Sequence, residues 1–246
     1  MRLKASVKIF IIVYGGLIAL AGYLIVHNYF RQLDLAEQST LSKLEGIAST
    51  LSQQIDSDAI ADVFRSFPLE GDTSGLQKNG TYKMYCELFA RAAKTNNLKT
   101  PIYTLTYTQE SDRFVGGIAS NGGSTYGWHY TSPSTRLKDV YETGGVLPRF
   151  NDDHGTWLSA VAPIKLKNDS VIAVIEADYP FDSFITEARN ELLSSIAISL
   201  LVMLLVGAIM YPALKQILEE EERSKLALEQ ANEDIRQQRE EMLIHH

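Results

Sequence analysis

The sequence predicts an α+β domain carried between two membrane-spanning helices and followed by a coiled-coil helix. Three observations predict it. Residues 192–214, LLSSIAISLLVMLLVGAIMYPAL, carry no charge, and at about 1.5 Å of rise per residue they are long enough to cross a hydrocarbon core about 30 Å thick. A second uncharged run, IFIIVYGGLIALAGYLIV, covers residues 9–26. Between the two runs the apolar period changes from helical to two, the mark of helices followed by a half-buried antiparallel sheet.

Residues 1–8 form the first segment and hold Arg2, Lys4 and Lys8 without an acid. Positive flanks stay in the cytoplasm, so the first span, residues 9–28, is expected to run outward as an uncleaved anchor. A cleaved signal peptide is the rival reading. The apolar run is longer than a usual signal core, and His27, Asn28, Tyr29 and Phe30 follow it in place of a small-residue cleavage site. Residues 191–214 bring the chain back, and Lys215, Arg223 and Lys225 favour an inside location for residues 215–246.

Composition excludes some functions. The mean hydropathy of -0.08 averages two apolar spans with polar segments. A formal net charge of -7 and a pI near 5.3 argue against a nucleic-acid partner, which needs a basic face. Cys86 is the single cysteine, so no intrachain disulfide forms; a small buried side chain is its expected role. No metal-ligand spacing involves it, and no cofactor is expected.

Residues 29–190 are expected to form the outer domain. Arg31 to Phe64 reads as one long helix in which Leu41, Leu44, Ala48, Leu51 and Ile55 recur every three or four residues. That repeat is a seam for a second subunit, or the face the helix turns to its own sheet; dimerisation through it is the favoured expectation. Residues 66–80 are turn-rich. Tyr82 to Lys94 returns to helical spacing, with Met84, Leu88, Phe89 and Ala92 on one side and Asn96 and Asn97 closing it. IYTLTYT (102–108) and residues 114–118 alternate as a first strand pair. Residues 156–164 and 171–178 make a second. Ser120 to Asp153 between them is irregular and aromatic. Pro180 fits the first turn of a helix that leads into the second span.

Ser124 to Ser134, STYGWHYTSPS, places Tyr126, Trp128, His129 and Tyr130 within five residues. Aromatic walls with a carboxylate nearby suit a cationic ligand or a flat metabolite; the same rings also serve to plug an open sheet face. Asp178 ends a strand, where it either joins such a site or caps the next helix. Asp152, Asp153 and His154 are read as a turn, since nothing else completes a metal or hydrolytic centre.

Asn151 to Asp178, NDDHGTWLSAVAPIKLKNDSVIAVIEAD, resembles the closing hairpin of extracytoplasmic Cache domains, the PAS-like sensors of bacterial receptors. The shared pattern is an aspartate–glycine turn, a strand ending in Pro-Ile, a polar turn and a strand ending in aspartate. IYTLTY looks like the preceding strand, and the likeness spans residues 29–188. It implies a single Cache module that binds a small molecule outside the bacterial inner membrane. The family's amine-binding branch uses aromatic residues about a tryptophan, a preceding arginine and the late aspartate. Trp128, Tyr130 and Asp178 match this; Tyr126 stands where the arginine belongs, and His129 separates the Trp-Tyr pair. The ligand residues expected are Tyr126, Trp128, His129, Tyr130, Trp157 and Asp178, with an amine or another small metabolite as ligand.

After Pro212, Leu228, Ala231, Ile235, Gln238 and Met242 keep a coiled-coil spacing. In related receptors such a coil feeds a histidine kinase, a nucleotide cyclase or a phosphatase. No such catalytic motif occurs before His246, so the chain itself is not expected to be an enzyme, and an output domain absent from it is. The whole reads as a homodimeric, two-pass receptor in contact with membrane lipid. A membrane scaffold whose outer domain binds a protein is the alternative, and an enzymatic outer domain is third.

Overall fold

The computed structural model describes residues 5–123, 125–130, 136–152 and 154–244. The α+β class is as predicted, with a long helix at each end of an antiparallel sheet. The chain divides into two units, Arg31–Ala188 and the pair Met1–Phe30 with Arg189–His246.

In the first unit, α1 (Ala5–Gln54) ends sooner than the apolar repeat implies. Asp56 breaks it: its Oδ1 accepts the backbone N–H groups of Asp58 and Ala59 at 3.0 and 3.3 Å and starts α2 (Ser57–Ser66). A helix N-cap of this kind outcompetes continuation of the preceding helix. Of the two readings of the repeat, the structure shows the face turned to the chain's own core: Leu41, Leu44, Ala48, Leu51 and Ile55 are buried within the single chain. After a short 3-10 turn at Leu76–Lys78, Asn79 caps α3 (Gly80–Thr95) through the N–H of Tyr82 at 2.9 Å. The buried side of α3 is Tyr82, Tyr85, Phe89 and Ala93. Met84, placed on that side by the sequence, is 51% exposed; Tyr82 and Tyr85 carry the core face instead.

The sheet has the order β3-β2-β1-β6-β5-β4, every pair antiparallel. Its strands are β1 (Ile102–Thr108), β2 (Arg113–Ala119), β3 (His129–Tyr130), β4 (Gly145–Asp152), β5 (Gly155–Lys165) and β6 (Val171–Pro180). The two predicted pairs are present, and β1 and β6 join them at the centre. The stretch read as irregular supplies both edge strands and α4 (Leu137–Val140). Pro148 and a register shift between Leu147 and Phe150 hide β4 from a period-two search, and an edge strand tolerates both. Pro180 is also corrected: it pairs with Trp157 as the last residue of β6, and the following helix α5 (Asp182–Ile244) begins two residues later.

Alternation divides the sheet into two faces. Ile102, Thr104, Ile175 and Ala177 share one face, and Phe64 of α2 lies against Gly117 on that side, where an added Cβ would meet its ring at 3.1 Å. The other face carries Tyr103, Leu105, Phe114, Val161 and Val174, covered by Leu137, Val140 and Tyr141 from α4 and its end. Gly116 is required for a third contact. Its N–H donates to the Trp128 carbonyl at 2.8 Å and its carbonyl accepts from Gly127, so the chain before β3 lies directly on it. A Cβ there would stand 2.4 Å from the Thr125 carbonyl oxygen.

In the second unit, α1 and α5 supply two helices long and apolar enough to cross a membrane. Ile12, Leu204 and Ile209 on these helices are more than two-thirds exposed. Tyr14 donates to the Met203 carbonyl, Phe10 stacks on Tyr14 and meets Tyr211 edge-on, and Gly207 leaves room for the Tyr14 ring.

Candidate functional site

The covered face of the sheet holds an acid and aromatic cluster that cross-strand register assembles from every strand. Along β6 the side chains of Val174, Glu176, Asp178 and Pro180 point one way. Tyr103 of β1 and Val161 of β5 flank Glu176, and Ser159 flanks Asp178. Phe114 of β2 and Tyr130 of β3 pair with each other on this face. On the far edge Phe150 pairs with Trp157 and Asp152 with Gly155.

Asp178 is tied down on both oxygens. Tyr103 donates its hydroxyl to Oδ2 at 2.6 Å, and Ser159 donates to Oδ1 at 2.5 Å. Thr100 donates to the Asp178 backbone carbonyl at 2.5 Å. The carboxyl is a strand residue of the buried face, so the helix-capping alternative does not hold. Asp182 fills the start of α5 instead, its Oδ2 accepting the Thr156 N–H at 2.8 Å. Glu176 is 0% exposed, and neither of its carboxyl oxygens has a donor among the described residues. What it faces is the Asp178 carboxyl.

Electrostatics follow from that burial. Glu176 is held well above the ordinary carboxylate range, first by burial and then by the charge of Asp178. Burial also raises Asp178, against the downward pull of its bonds to Ser159 and Tyr103, and the charge of Asp152 adds to the rise. The Tyr103 and Tyr130 phenols are raised by burial and then by the two acids. Burial of two neighbouring acids favours a proton between them over two negative charges.

The six residues singled out in the sequence divide. Trp128, Tyr130, Trp157 and Asp178 belong to this face. Tyr130 meets Tyr103 edge-on at 6.4 Å, and Trp128, 42% exposed, tilts onto Tyr130 at 5.3 Å to form a rim. Trp157 donates its indole N–H to Asp152 at 2.8 Å, and the same Asp152 oxygen accepts the His154 N–H at 2.7 Å, which makes the turn. Ser124, residues 131–135 and Asp153 lie outside the described residues. Tyr126 and His129 lie away from this face. The Tyr126 hydroxyl donates to the Phe67 carbonyl at 2.5 Å and its ring packs on Phe64 and Tyr82, so it belongs to the helical layer. His129 alternates with Tyr130 and must point away from the cluster; it is exposed, 3.7 Å from Glu70.

Sequence reasoning missed Glu176, Tyr103 and Ser159. The available signal was Glu176 two residues before Asp178 in the apolar run VIAVIEAD, a spacing that puts both acids on one face. Among the described residues no three His, Cys, Asp or Glu side chains gather as a metal site.

No family model matches the chain, and no curated protein matches it. Among solved structures, the DcuS sensor domain of E. coli is similar with 18% identity and a TM-score of 0.42, over 63% of this chain and 98% of that one. The extracellular domain of a protein described as a histidine kinase, mmHK1S-Z2, is similar with 14% identity and a TM-score of 0.32, over 70% of this chain and 62% of that one. At these identities and scores the likeness assigns no residue and no ligand to this chain.

Proposed function

We propose that this chain is a two-pass transmembrane receptor whose outer, Cache-like domain binds a small molecule on the acid and aromatic face of its sheet. The observation that carries the reading is the Asp178 carboxyl, buried yet fixed by Tyr103 and Ser159 and rimmed by Tyr130 and Trp128. Burying a carboxylate costs stability that two donors only partly offset, which points to a purpose beyond packing. The site sits at the end of β6, and α5 starts directly after it. A ligand that favours one arrangement of β6 therefore acts on the helix that enters the second span, by as much as its affinity differs between the two arrangements. On the far side of that span Leu228 and Ile235 are 64% and 59% exposed in the single chain, which supports a second copy covering them in a homodimeric coil.

Topology is tested with the full chain in intact cells. Cys86→Ser gives a background free of cysteine, into which Thr73→Cys and Asn232→Cys are placed separately on exposed positions. A membrane-impermeant maleimide is expected to label Thr73→Cys directly and Asn232→Cys after permeabilisation. The reverse pattern overturns the orientation, and direct labelling of both overturns the two-pass reading.

A further inference from the structure

The buried acid pair is one hydrogen short of being satisfied. Glu176 has no exposed surface, and neither of its oxygens has a donor among the described residues. Asp178 follows on the same face of β6 and takes the hydroxyls of Tyr103 and Ser159. Each hydroxyl carries a single hydrogen, already given to Asp178, so neither serves Glu176 as well. The titratable groups that face the pair bring no positive charge: Tyr103 from β1, Tyr130 from β3 and Asp152 from β4. The Tyr141 phenol at the end of α4 covers the same face and accepts the Tyr107 N–H. The nearby described cations are engaged elsewhere. Lys138 binds Asp112 at 2.5 Å and lies over the Tyr107 ring, and Arg149 binds Glu37 at 2.6 Å and lies over the Phe181 ring. A proton held by one carboxyl and donated to the other supplies both the missing donor and the missing positive charge, and it needs no cavity.

We propose that the domain also reads pH: one proton shared by Glu176 and Asp178 closes the sheet face, and its loss as pH rises opens the β3 edge. This function stands apart from the small-molecule reading above, and it holds for whichever compartment the domain faces. The step balances: the O–H bond of the shared proton breaks, the proton leaves to water, and a second negative charge stays in the buried site. Two neighbouring charges there require water. The elements around the pair differ in how firmly they are held. β6 pairs with β5 along its whole length, from Trp157–Pro180 to Lys165–Val171, and with β1 from Ile102–Ala177 to Leu105–Val174. β3 is held by the pairs Phe114–Tyr130 and Val115–His129 and by the bonds of Gly116 to Trp128 and Gly127. Tyr130 lies between the acids and the Trp128 rim, which is already 42% exposed. The least firmly held element opens first. Lifting β3 takes Tyr130 off the pair and admits water, while the long ladders keep β6 in the sheet. The opening takes place at the end of β6 that runs into α5.

The test uses the full chain in lipid nanodiscs, with no ligand added, titrated from about pH 5 to about pH 9. Infrared difference spectra should show a protonated-carboxyl stretch in wild type that disappears with a midpoint above the ordinary carboxyl range. Glu176→Gln, whose amide supplies the missing donor at every pH, should lack it. Hydrogen exchange reads the opening. Above that midpoint the Gly116 and Gly127 amides should exchange faster in wild type than in Glu176→Gln, by a factor that grows up to about tenfold per pH unit. Comparison at equal pH cancels the intrinsic rise of exchange with pH. Within wild type alone, the ratio of these two amides to the ladder amides of β6 should rise in the same way, a readout that needs no variant. Absence of a carboxyl stretch above the ordinary range, or its survival in Glu176→Gln, overturns the shared proton. A β3-to-β6 exchange ratio that does not change with pH overturns the opening. Loss of protection along β6 at the same pH overturns its assignment to the β3 edge.

Discussion

Glu176 is the residue on which the electrostatics of the domain turn. Its folded-state affinity for a proton is raised by burial, and so is that of Asp178. An acid raised in this way takes up a proton on folding, so its contribution is neutral below the ordinary carboxyl range and becomes destabilising as pH rises through it. Wild type should therefore lose stability relative to Glu176→Gln as pH rises above about 4.5. At pH 8 the variant should be more stable by about 1–3 kcal/mol, the cost of a buried charged group without a donor. Urea unfolding at pH 5 and pH 8 measures the difference, and equal slopes for the two proteins contradict it. Tyr103→Phe has the opposite sign. It removes a donor from Asp178 and should cost about 1–3 kcal/mol where Asp178 is ionised. The same unfolding series checks it, with a smaller loss expected at pH 5.

At the scale of elements, strand alternation carried most of what the sequence disclosed. IYTLTYT and the closing hairpin are strands as their period-two pattern requires, and the same alternation puts Tyr130 on the site and turns His129 away. The unread parts have local physical causes. Asp56 ends α1 inside an unbroken apolar repeat, because an N-cap competes with a continuing helix through side-chain hydrogen bonds that hydrophobic spacing does not register. Asp56→Ala should cost about 0.5–2 kcal/mol, read as a shift of the urea midpoint without a change of slope. Pro148 and a bulge disguised β4, and the neighbours of Glu176 became visible only once β1, β5 and β6 were in register. Asp178, Tyr130, Trp128 and Trp157 were legible as aromatic and acidic residues in loop and strand ends. Tyr126 was not, since its hydroxyl is satisfied by the Phe67 carbonyl of a segment far away in sequence. Gly116→Ala should push the chain before β3 off the sheet, at a cost of about 1–3 kcal/mol. Trp128 emission, reporting the rim, should then move toward the solvent-exposed value.

At the scale of the whole molecule, the proposed reading is a membrane receptor in which a buried acid pair at the end of β6 is continuous in sequence with the apolar helix α5. The stripe on α1 is consumed by the sheet domain's own core, which leaves the exposed Leu228 and Ile235 stripe as the proposed contact between copies. Ile235→Glu should reduce dimerisation in detergent, measured by sedimentation, and leave the thermal unfolding of the outer domain unchanged. The most direct test of the central claim is thermal unfolding of the full chain in nanodiscs with a panel of amines, amino acids and carboxylates, comparing wild type with Asp178→Asn. A ligand at a hundred times its dissociation constant adds about 2.7 kcal/mol. The account predicts that at least one of these small molecules raises the unfolding temperature of wild type and leaves Asp178→Asn where it was. An equal rise in both proteins, or no rise in either, contradicts it.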